Sequence, residues 1–298
     1  MRHVIPICMT QGGDICNHDG TGGESIYGGT FEDERLDSNH KEEGMVGMSN
    51  NGPNTNQSQF YITTVPCSHL DNTNVIVGKV VRGFNIVVEM ADIPRENDTP
   101  VEPITIEDCG ELKAGEPWNI TENDGTLDVY PPWPDDWEQA TKYDLPVVHK
   151  AIDAIKSSGN YFYEHKNYVD SERKYVKTLR YIDWYLCQKG DKSKQIENMR
   201  MLSMLNLAAV KLKREKYKEA LELCNQILTK DPKCAKAFYR RAHARFRLKD
   251  YDKALDDLQA ATNYFPNDKN ILNLLKTVKS TKLIYLRKEK KAFSKLFM

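Results

Sequence analysis

Five polar residues in the second half of the chain have types and spacing suited to binding carboxylate groups. Lys156 and Asn160 are four positions apart, as are Lys236 and Arg240, and Asn206 lies between the two pairs. On a helix, side chains four positions apart lie on the same face. A guanidinium can bind a carboxylate through two parallel hydrogen bonds, an ammonium adds a point charge, and an amide can hold a peptide backbone. These residues therefore predict a site for a peptide with clustered carboxylates.

The elements that position these residues are indicated by an internal repeat. A shift of 34 residues superimposes 206–232 on 240–266. The matching residues are small, aromatic, aliphatic or proline: Ala208 with Ala242, Tyr217 with Tyr251, Ala220 with Ala254, Leu221 with Leu255, and Pro232 with Pro266. This period, with small residues where two helices touch, is typical of tetratricopeptide (TPR) repeats, each a helix–turn–helix unit. An earlier copy, 156–182, aligns at a shift of 49, which is one period plus an insertion of 15 residues around 184–200.

We therefore predict an all-α TPR domain over 148–298, with three repeats and a basic C-terminal helix. The five polar residues fall on the first helix of each repeat, and first helices line the concave groove of such a stack. The last helix is expected over 271–298, where eight residues are basic and one is acidic. This segment is typical of the polar-backed cap that a repeat stack requires. A basic amphipathic helix can also bind calmodulin or contact a chaperone, and both interpretations stay open.

Composition disfavours several classes of function. The 298 residues carry a formal net charge of −1, so bulk charge favours neither nucleic acid nor a membrane surface as a partner. No apolar stretch approaches the roughly 18 residues of a transmembrane helix. The seven cysteines form no C-x-x-C pair, which indicates a reducing compartment and predicts a cytoplasmic protein. The nearest approach to a metal site, Cys16-Asn17-His18, has no second pair of ligands, so we expect no metal and no cofactor.

The first part of the chain, 1–112, has the pattern of short β-strands. Apolar runs occur at 59–65 (QFYITTV), 74–81 (NVIVGKVV) and 104–109 (ITIEDC), separated by turns rich in glycine and asparagine. Many short strands with such turns predict a β-barrel or a sandwich. Between the two regions, 113–147 is acidic and contains the proline cluster PPWP. We predict that it is a linker whose tryptophans lie against one neighbouring domain or both.

Motifs in the first region carry a specific resemblance to a known family. The stretches MTQGGD, GTGGESIYGGTFEDE, NNGPNTNQSQFYITT, HLD and VIVGKVVRG occur in the order and at the spacings of cyclophilins, which are peptidyl-prolyl cis–trans isomerases. With the acidic linker and the repeats, the whole chain resembles the cyclophilin-40 type of co-chaperone. The resemblance implies an isomerase that acts on proline-containing client proteins. It also implies that the five polar residues, hereafter the clamp, grip the C-terminal EEVD peptide of heat-shock protein 90 and of heat-shock protein 70.

The resemblance also implies an incomplete cyclophilin-type antiparallel β-barrel. The stretch RHVIPICMTQGGD corresponds to the third and fourth strands of the eight-stranded barrel, so the first two strands and the first helix are expected to be missing. Such a barrel would expose backbone hydrogen-bonding groups and core surface. Three explanations stay open: the protein begins upstream of Met1, the strand region folds poorly, or a partner covers the gap. We favour an incomplete gene model or a decayed paralogue over a new fold.

The catalytic positions implied by the resemblance are His3 and Gln11. Rotation about an X–Pro bond is slow because partial double-bond character gives a barrier of about 18–20 kcal/mol. Cyclophilins lower it with an apolar proline pocket and an arginine whose guanidinium polarises the proline amide. The family's F-H-R reads Met1-Arg2-His3 here, so His3 replaces the arginine, and Arg2 would point to the opposite face of a strand. Loss of the charged hydrogen bond, about 1.5–3 kcal/mol, predicts a rate lower by roughly 10–100-fold.

The substrate-binding positions implied by the resemblance are partly altered. Four of them match the family in type: Met9, Asn50, Gln59 and Leu70. The others depart from it or vary within it: Cys8 replaces a phenylalanine of the proline pocket, Tyr61 replaces another phenylalanine, Ser49 replaces an alanine, Asn74 replaces a histidine, and His69 stands where the family has tryptophan or histidine. Since Cys8 removes most of an aromatic wall, we expect reduced affinity for proline and weak binding of cyclosporin A, which uses the same pocket.

Three functions are compatible with these patterns. The first is a cyclophilin-40-type co-chaperone whose isomerase activity is reduced or lost. The second is a non-catalytic TPR adaptor or scaffold protein, which binds chaperone tails while its strand region recognises proline segments or only supports the groove. The third is a structural TPR protein without a carboxylate ligand, and it requires the register of the clamp to be accidental. The altered positions His3 and Cys8 disfavour isomerase activity, and they therefore support the second function over the first.

Overall fold

The structure is a computed structural model. It describes residues 3–5, 8–96, 98–116, 118, 122–137, 145–189 and 194–296. These residues form two compact units, Met1–Ile120 and Thr121–Met298, and each is described by itself. The expected linker, 113–147, therefore contributes to both units.

The first unit contains a five-stranded antiparallel sheet. Its strands are β1 (His3–Ile5), β2 (Met9–Gly12), β3 (Met45–Met48), β4 (Phe60–Thr63) and β5 (Ile76–Lys79), in the order β1-β2-β4-β3-β5. The strands predicted around 59–65 and 74–81 are confirmed as β4 and β5. Within the described residues the sheet is open, with β1 and β5 at its edges, as expected for an incomplete barrel.

Short elements complete the first unit. A 3₁₀ turn, Ser68–Leu70, precedes β5, and helix α1 (Phe84–Asp92) and the two-residue strands β6 (Arg95–Glu96) and β7 (Thr99–Pro100) follow it. The strand predicted at 104–109 is wrong, because these residues have no strand partner in the described part of the chain. A strand requires a neighbour that completes its backbone hydrogen bonds, and alternating apolar residues do not supply one.

The second unit is a stack of antiparallel helices. Their bounds are Leu145–Glu164 (α2), Tyr168–Lys189 (α3), Lys194–Lys213 (α4), Tyr217–Lys230 (α5), Ala235–Arg247 (α6), Tyr251–Tyr264 (α7) and Lys269–Leu296 (α8). Each helix packs against the next one in the chain, and α4 also contacts α6. The pairs α2/α3, α4/α5 and α6/α7 therefore correspond to the three predicted repeats, and α8 corresponds to the predicted final helix.

Small residues allow the helices of each pair to pack closely. Ala208, Ala220, Ala242 and Ala254, which the repeat aligned, are fully buried. In the first repeat Gly159 takes the equivalent position, where an added Cβ would lie only 2.9 Å from the ring of Tyr175. The insertion lengthens two helices: α3 has 22 residues and α4 has 20, against 14 in α5.

A segment before the stack, 122–137, packs against α3. The carboxylate of Asp128 is fully buried and accepts hydrogen bonds from Lys174 Nζ at 2.6 Å and Lys177 Nζ at 2.8 Å. Trp137 packs against the ring of Tyr181, with ring centroids 6.0 Å apart. Two buried lysines and the surrounding aromatic rings therefore attach this acidic segment to the second unit.

No helix in the described ranges combines the length and the apolar character needed to span a bilayer.

Candidate functional sites

The clamp residues all lie on first helices of the repeats. Lys156 and Asn160 lie on α2, Asn206 on α4, and Lys236 and Arg240 on α6. Asn160, Asn206 and Arg240 line one cavity of about 170 Å³. Lys156 and Lys236 do not line it, and each lies one helical turn N-terminal to a residue that does.

Hydrogen bonds orient the two amides of this cavity. Tyr175 donates its hydroxyl to Asn160 Oδ1 at 2.6 Å, and Asn206 Nδ2 donates to the same oxygen at 3.4 Å. Burial raises the pKa of Tyr175 to about 12, which keeps its hydroxyl protonated as a donor. Among the described residues no acceptor lies within hydrogen-bond distance of Asn160 Nδ2, so this amide can donate to a ligand.

Arg240 is the cation of this cavity. Its guanidinium donates to the backbone oxygen of Leu205, and desolvation by burial lowers its pKa. Within the described part of the chain no carboxylate lies at ion-pair distance from Arg240. Glu164 lines the same cavity but is exposed. The cavity therefore holds a half-buried positive charge that a carboxylate ligand would compensate.

The two lysines of the clamp differ in their surroundings. Lys156 Nζ lies 2.6 Å from Asp153 Oδ1, three positions earlier on α2. Lys236 is exposed, and among the described residues it has no ion-pair partner. Lys236 is thus available to a ligand directly, whereas Lys156 must exchange Asp153 for it.

In the first unit, the predicted catalytic positions lie on neighbouring strands. His3 on β1 is the register partner of Gln11 on β2. Gln11 Nε2 donates to Gln59 Oε1 at 2.8 Å. Gly13, just after β2, allows the chain to pass close to Ser58, because it has a φ of 94° and a Cβ there would collide with the backbone oxygen of Ser58. Met1 and Arg2 lie outside the described residues.

A cavity of about 550 Å³ adjoins this amide pair. Its lining includes Gln11 and Gln59 together with the apolar residues Pro100, Pro103 and Ile104. Met9, Tyr61, His69 and Leu70 do not line it. The lining of this cavity thus includes the two amides of the predicted substrate site but none of these four other positions.

The apolar positions offer little open surface. Met9 is 6% exposed and Tyr61 is 1% exposed, so neither presents a wide face to a proline ring. Leu70 ends the 3₁₀ turn, and its backbone oxygen accepts from the N–H of Asn74 at 3.1 Å.

The remaining polar positions of the predicted substrate site form hydrogen bonds with nearby backbone groups. Asn50 Nδ2 donates to the backbone oxygen of Thr73 at 2.7 Å, and Asn74 Nδ2 donates to that of Met48 at 2.9 Å. The N–H of Ser49 donates to the backbone oxygen of Gln59 at 3.0 Å. These positions support the loops around β3 and β4.

Cys8 and His69, two predicted substrate positions, lie close to a residue that the sequence analysis did not single out. Cys8 Sγ is 2.9 Å from Cys67 Sγ and 3.9 Å from His69 Nε2. The two cysteine sulfurs and a ring nitrogen of His69 all lie within 4.8 Å of one another. Burial is the main cause that raises the pKa of the Cys67 thiol to about 12, and the hydrogen bond with Cys8 adds to it.

A second group was also missed. Tyr61 Oη lies 2.6 Å from His40 Nε2, and His40 Nδ1 lies 2.9 Å from Asp71 Oδ1. His40 is 1% exposed, and the backbone N–H of His40 is the main cause that lowers the pKa of Asp71. A tyrosine where the family has phenylalanine was the only signal in the sequence, because a hydroxyl buried in this position requires a partner.

The chain is similar to known proteins in both of its regions. Residues 1–111 match the family model described as cyclophilin type peptidyl-prolyl cis-trans isomerase/CLD, and residues 211–277 match a tetratricopeptide repeat model. The chain is 35% identical to the peptidyl-prolyl cis-trans isomerase D of Kluyveromyces lactis over 307 aligned residues. The alignment covers 99% of this chain and 82% of that relative. The resemblance inferred from the motifs is confirmed.

Proposed function

The chain belongs to the cyclophilin-type peptidyl-prolyl cis-trans isomerases that carry TPR repeats, and from this premise we propose that it is a cyclophilin-40-type co-chaperone. In this proposal the repeat groove binds the C-terminal EEVD peptide of heat-shock protein 90, and also that of heat-shock protein 70. The isomerase activity of the first unit on proline-containing clients is reduced, and cyclosporin A binds weakly. The free cysteines support a cytoplasmic location.

The observation that carries the proposal is the half-buried Arg240 beside two amides. A guanidinium that has lost part of its hydration gains more from a carboxylate ligand than an exposed one does. Asn160 and Asn206 line the same cavity and supply amide groups next to it. A peptide that ends in a carboxylate and carries acidic side chains matches this combination of one cation and two amides.

The lysines extend the same chemistry along the groove. Lys236 lies on the helix of Arg240 and is exposed, so it can pair with a second carboxylate without losing a partner. Lys156 would release Asp153 in exchange for a ligand carboxylate. Exposed Glu164 disfavours an acidic side chain at its edge of the cavity, which restricts the orientations of the peptide.

A binding measurement tests the clamp. We expect the full chain to bind a labelled peptide ending in EEVD with micromolar affinity by fluorescence anisotropy. Arg240→Ala and Lys236→Ala are each expected to weaken binding at least about tenfold, the effect of one charged hydrogen bond. Lys233→Ala, which changes an exposed lysine just before α6, is the matched control and should leave binding unchanged.

Two results would reject the clamp. One is the absence of binding at millimolar peptide, and the other is equal binding by the chain and by Arg240→Ala. Circular dichroism melts of each variant would test whether the helices remain folded. The further variant Arg240→Lys keeps the positive charge but removes the planar guanidinium that can bind a carboxylate through two hydrogen bonds. We expect Arg240→Lys to bind with intermediate affinity.

The proposal of reduced isomerase activity rests on three features of the first unit. By the family resemblance His3 corresponds to the polarising arginine, and in the ladder it is the register partner of Gln11. Cys8 replaces an aromatic wall, and Met9 and Tyr61 are buried. A neutral imidazole polarises a proline amide less than a guanidinium does, and a shallow apolar surface holds the proline ring weakly.

Exchange spectroscopy tests this part. We expect the full chain to accelerate cis–trans exchange of an Ala-Pro peptide in NMR spectra only slightly above the rate in buffer. His3→Arg should raise the rate by about 10–100-fold. A chain with full activity that His3→Arg does not change would contradict the role of His3.

The second candidate function is a non-catalytic TPR adaptor. The burial of Met9 and Tyr61 favours it, because a closed apolar surface would not bind a proline whichever residue stands at position 3. In that case neither the chain nor His3→Arg accelerates exchange, while EEVD peptide binding is retained.

A further inference from the structure

Three side chains that no motif connects form a compact group of soft ligand atoms in the first unit. Cys8 precedes β2, Cys67 caps the 3₁₀ turn, and His69 lies within that turn. Their sulfur and nitrogen atoms all lie within 4.8 Å of one another. Two thiols and one imidazole at this separation have the composition of a zinc site with three protein ligands.

The burial of the three ligands decreases from one side of the group to the other. Cys67 is buried, Cys8 is half-buried and His69 is exposed. The Cys67 thiol donates to the backbone oxygens of Val65 at 3.3 Å and Cys8 at 3.4 Å. A cation would thus have protein on one side and solvent on the side of His69, which leaves a position for water.

One distance in the group is close to that of tetrahedral coordination, and the distance between the two sulfurs is shorter. A zinc ion with Zn–S bonds of about 2.3 Å and Zn–N bonds of about 2.0 Å separates two sulfurs by about 3.8 Å, and sulfur from nitrogen by about 3.5 Å. Cys8 Sγ and His69 Nε2 are 3.9 Å apart, near that value. The two sulfurs, at 2.9 Å, would have to move apart by about 1 Å, which a rotation of the half-buried Cys8 side chain can provide.

We propose that Cys8, Cys67 and His69 form a binding site for zinc or another thiophilic divalent cation. On binding, both thiols release their protons to solvent, and the cation takes two thiolates and the neutral imidazole, with water as the fourth ligand. Because the metal binds thiolates and a neutral imidazole, its binding displaces protons and strengthens as the pH rises.

The site overlaps the candidate substrate-binding surface. Cys8 and His69 both belong to the predicted substrate positions, so a bound cation and a proline side chain compete for the same place. This consequence rests on the proposed function, whereas the metal site itself does not.

A cadmium titration of the full chain tests the proposal, because cadmium occupies zinc–thiolate sites and gives a thiolate-to-metal band in the ultraviolet. The protein is first reduced with a phosphine and transferred to metal-free buffer. We expect one molar equivalent of cadmium to produce the band, and zinc to displace it. Cys8→Ser and Cys67→Ser should abolish this equivalent. His69→Gln should weaken cadmium binding by more than roughly 10–100-fold, which is the effect of losing a residue that only hydrogen-bonds to a metal ligand.

Cys16→Ser is the matched control, since Cys16 is an exposed cysteine outside the group and next to Asn17-His18. Its band should equal that of the unchanged chain. If Cys67→Ser fails to fold, the half-buried Cys8 and the exposed His69 still provide the two informative variants. The proposal is overturned by the absence of a band in the reduced chain, or by an equal band in Cys8→Ser. It is also overturned if mass spectrometry finds Cys8 and Cys67 joined as a disulfide that persists after reduction.

Discussion

The two units of the molecule differ most in what they bury. Among the described residues, the buried apolar side chains of the first unit are Met9, Tyr61, Cys67, Val75, Val87 and Ala91, and all the others belong to the second unit. In the first unit several polar side chains are almost fully buried, including His40, Asn56 and Thr63. Buried polar groups stabilise a fold only while their hydrogen bonds are kept. Relative to its small set of buried apolar side chains, the first unit therefore depends more on particular polar partners, whereas in the second unit a larger apolar core surrounds its buried charged groups.

The same difference affects the two candidate sites. The clamp residues lie on α2, α4 and α6, whose other faces are packed into buried apolar clusters. The predicted isomerase positions lie on an edge strand, on β2 and β4, and in loops. A site on packed helices keeps its geometry better than one on loops. We therefore expect the repeat groove to be the more robust of the two sites, and four experiments can break or sharpen this comparison.

The largest effect is expected at the ionic cluster around Asp128, one of several buried charged groups in the second unit. Asp128→Asn would remove the fully buried carboxylate that Lys174 and Lys177 share, and Glu122 would remain as the other carboxylate that contacts both lysines. Removing one partner of a buried ion pair costs about 3–5 kcal/mol of unfolding free energy. Urea denaturation of the full chain, followed by far-ultraviolet circular dichroism, measures the change.

The matched control for Asp128→Asn is Asp256→Asn, because Asp256 is an exposed aspartate on α7. Its effect should stay within about 0.5 kcal/mol. If Asp128→Asn and Asp256→Asn have the same small effect, the cluster is solvated, and the segment 122–137 does not stabilise the second unit.

The next effect compares the same substitution in both units. Val210 on α4 is fully buried in a cluster with Tyr175 and Leu207, whereas Val75 before β5 is 6% exposed and belongs to no such cluster of the described residues. Val210→Ala should lower the free energy of unfolding by about 2 kcal/mol, because buried apolar groups are lost and a cavity is left behind. Val75→Ala should cost about 1 kcal/mol or less, because its surroundings can collapse more easily.

Hydrogen exchange with mass spectrometry measures both valine variants within the full chain. Peptides from 1–120 report on Val75→Ala, and peptides from the helices report on Val210→Ala. A larger loss of protection from Val75→Ala than from Val210→Ala would reverse the comparison, and the first unit would then be the better packed one.

A smaller effect on stability is expected from acid below the ordinary pKa range of carboxyl groups. Burial alone would raise the pKa values of Glu122 and Asp124, but their contacts with Lys174 outweigh it and lower both. Groups with a lowered pKa in the folded state contribute stability that is complete above their ordinary range and is lost as the pH falls through the folded pKa. Melting temperatures should therefore stay constant from pH 7 to pH 5 as far as these groups are concerned, and fall only below about pH 4.

Asp71 gives the first unit the same sign of pH dependence, because the backbone N–H of His40 is the main cause that lowers its pKa. Acid should consequently weaken both units below the ordinary carboxyl range. Hydrogen exchange at pH 5 and pH 3 separates them, with peptides around Asp71 reporting on the first unit. Loss of the carboxylate contribution above pH 5 would contradict the assigned contacts.

The sequence predicted the second unit better than the first, and the reason is the range of the contacts. Helix pairs place residues of the same type at a fixed period, so the alignment of 206–232 with 240–266 at a shift of 34 was enough to predict the repeats. Strands depend on distant partners, and the strand predicted at 104–109 has none among the described residues. The grouping of Asn160, Asn206 and Arg240 followed from the repeat register, although peptide binding stays a prediction.

The contacts that sequence reasoning missed join residues far apart in the chain. Cys8 and Cys67 are 59 positions apart, and Glu122 and Lys174 are 52 positions apart. His40 is 21 positions from Tyr61 and 31 from Asp71. No spacing rule connects such residues, because only the pairing of β2, β3 and β4 and the packing of a loop on α3 bring them together.

The last effect, close in size to that of Val75→Ala, is expected at Tyr61, where it tests whether the first unit depends on a specific polar partner. Tyr61→Phe restores the aromatic residue of the family but removes the hydroxyl that lies 2.6 Å from His40 Nε2. A buried nitrogen without its partner costs about 1 kcal/mol or slightly more. Faster hydrogen exchange is expected in peptides that contain β3 and β4. Tyr27→Phe is the control, since Tyr27 is 73% exposed. Unchanged exchange in Tyr61→Phe would mean that the hydroxyl adds nothing, and that apolar packing of the ring is what this unit requires.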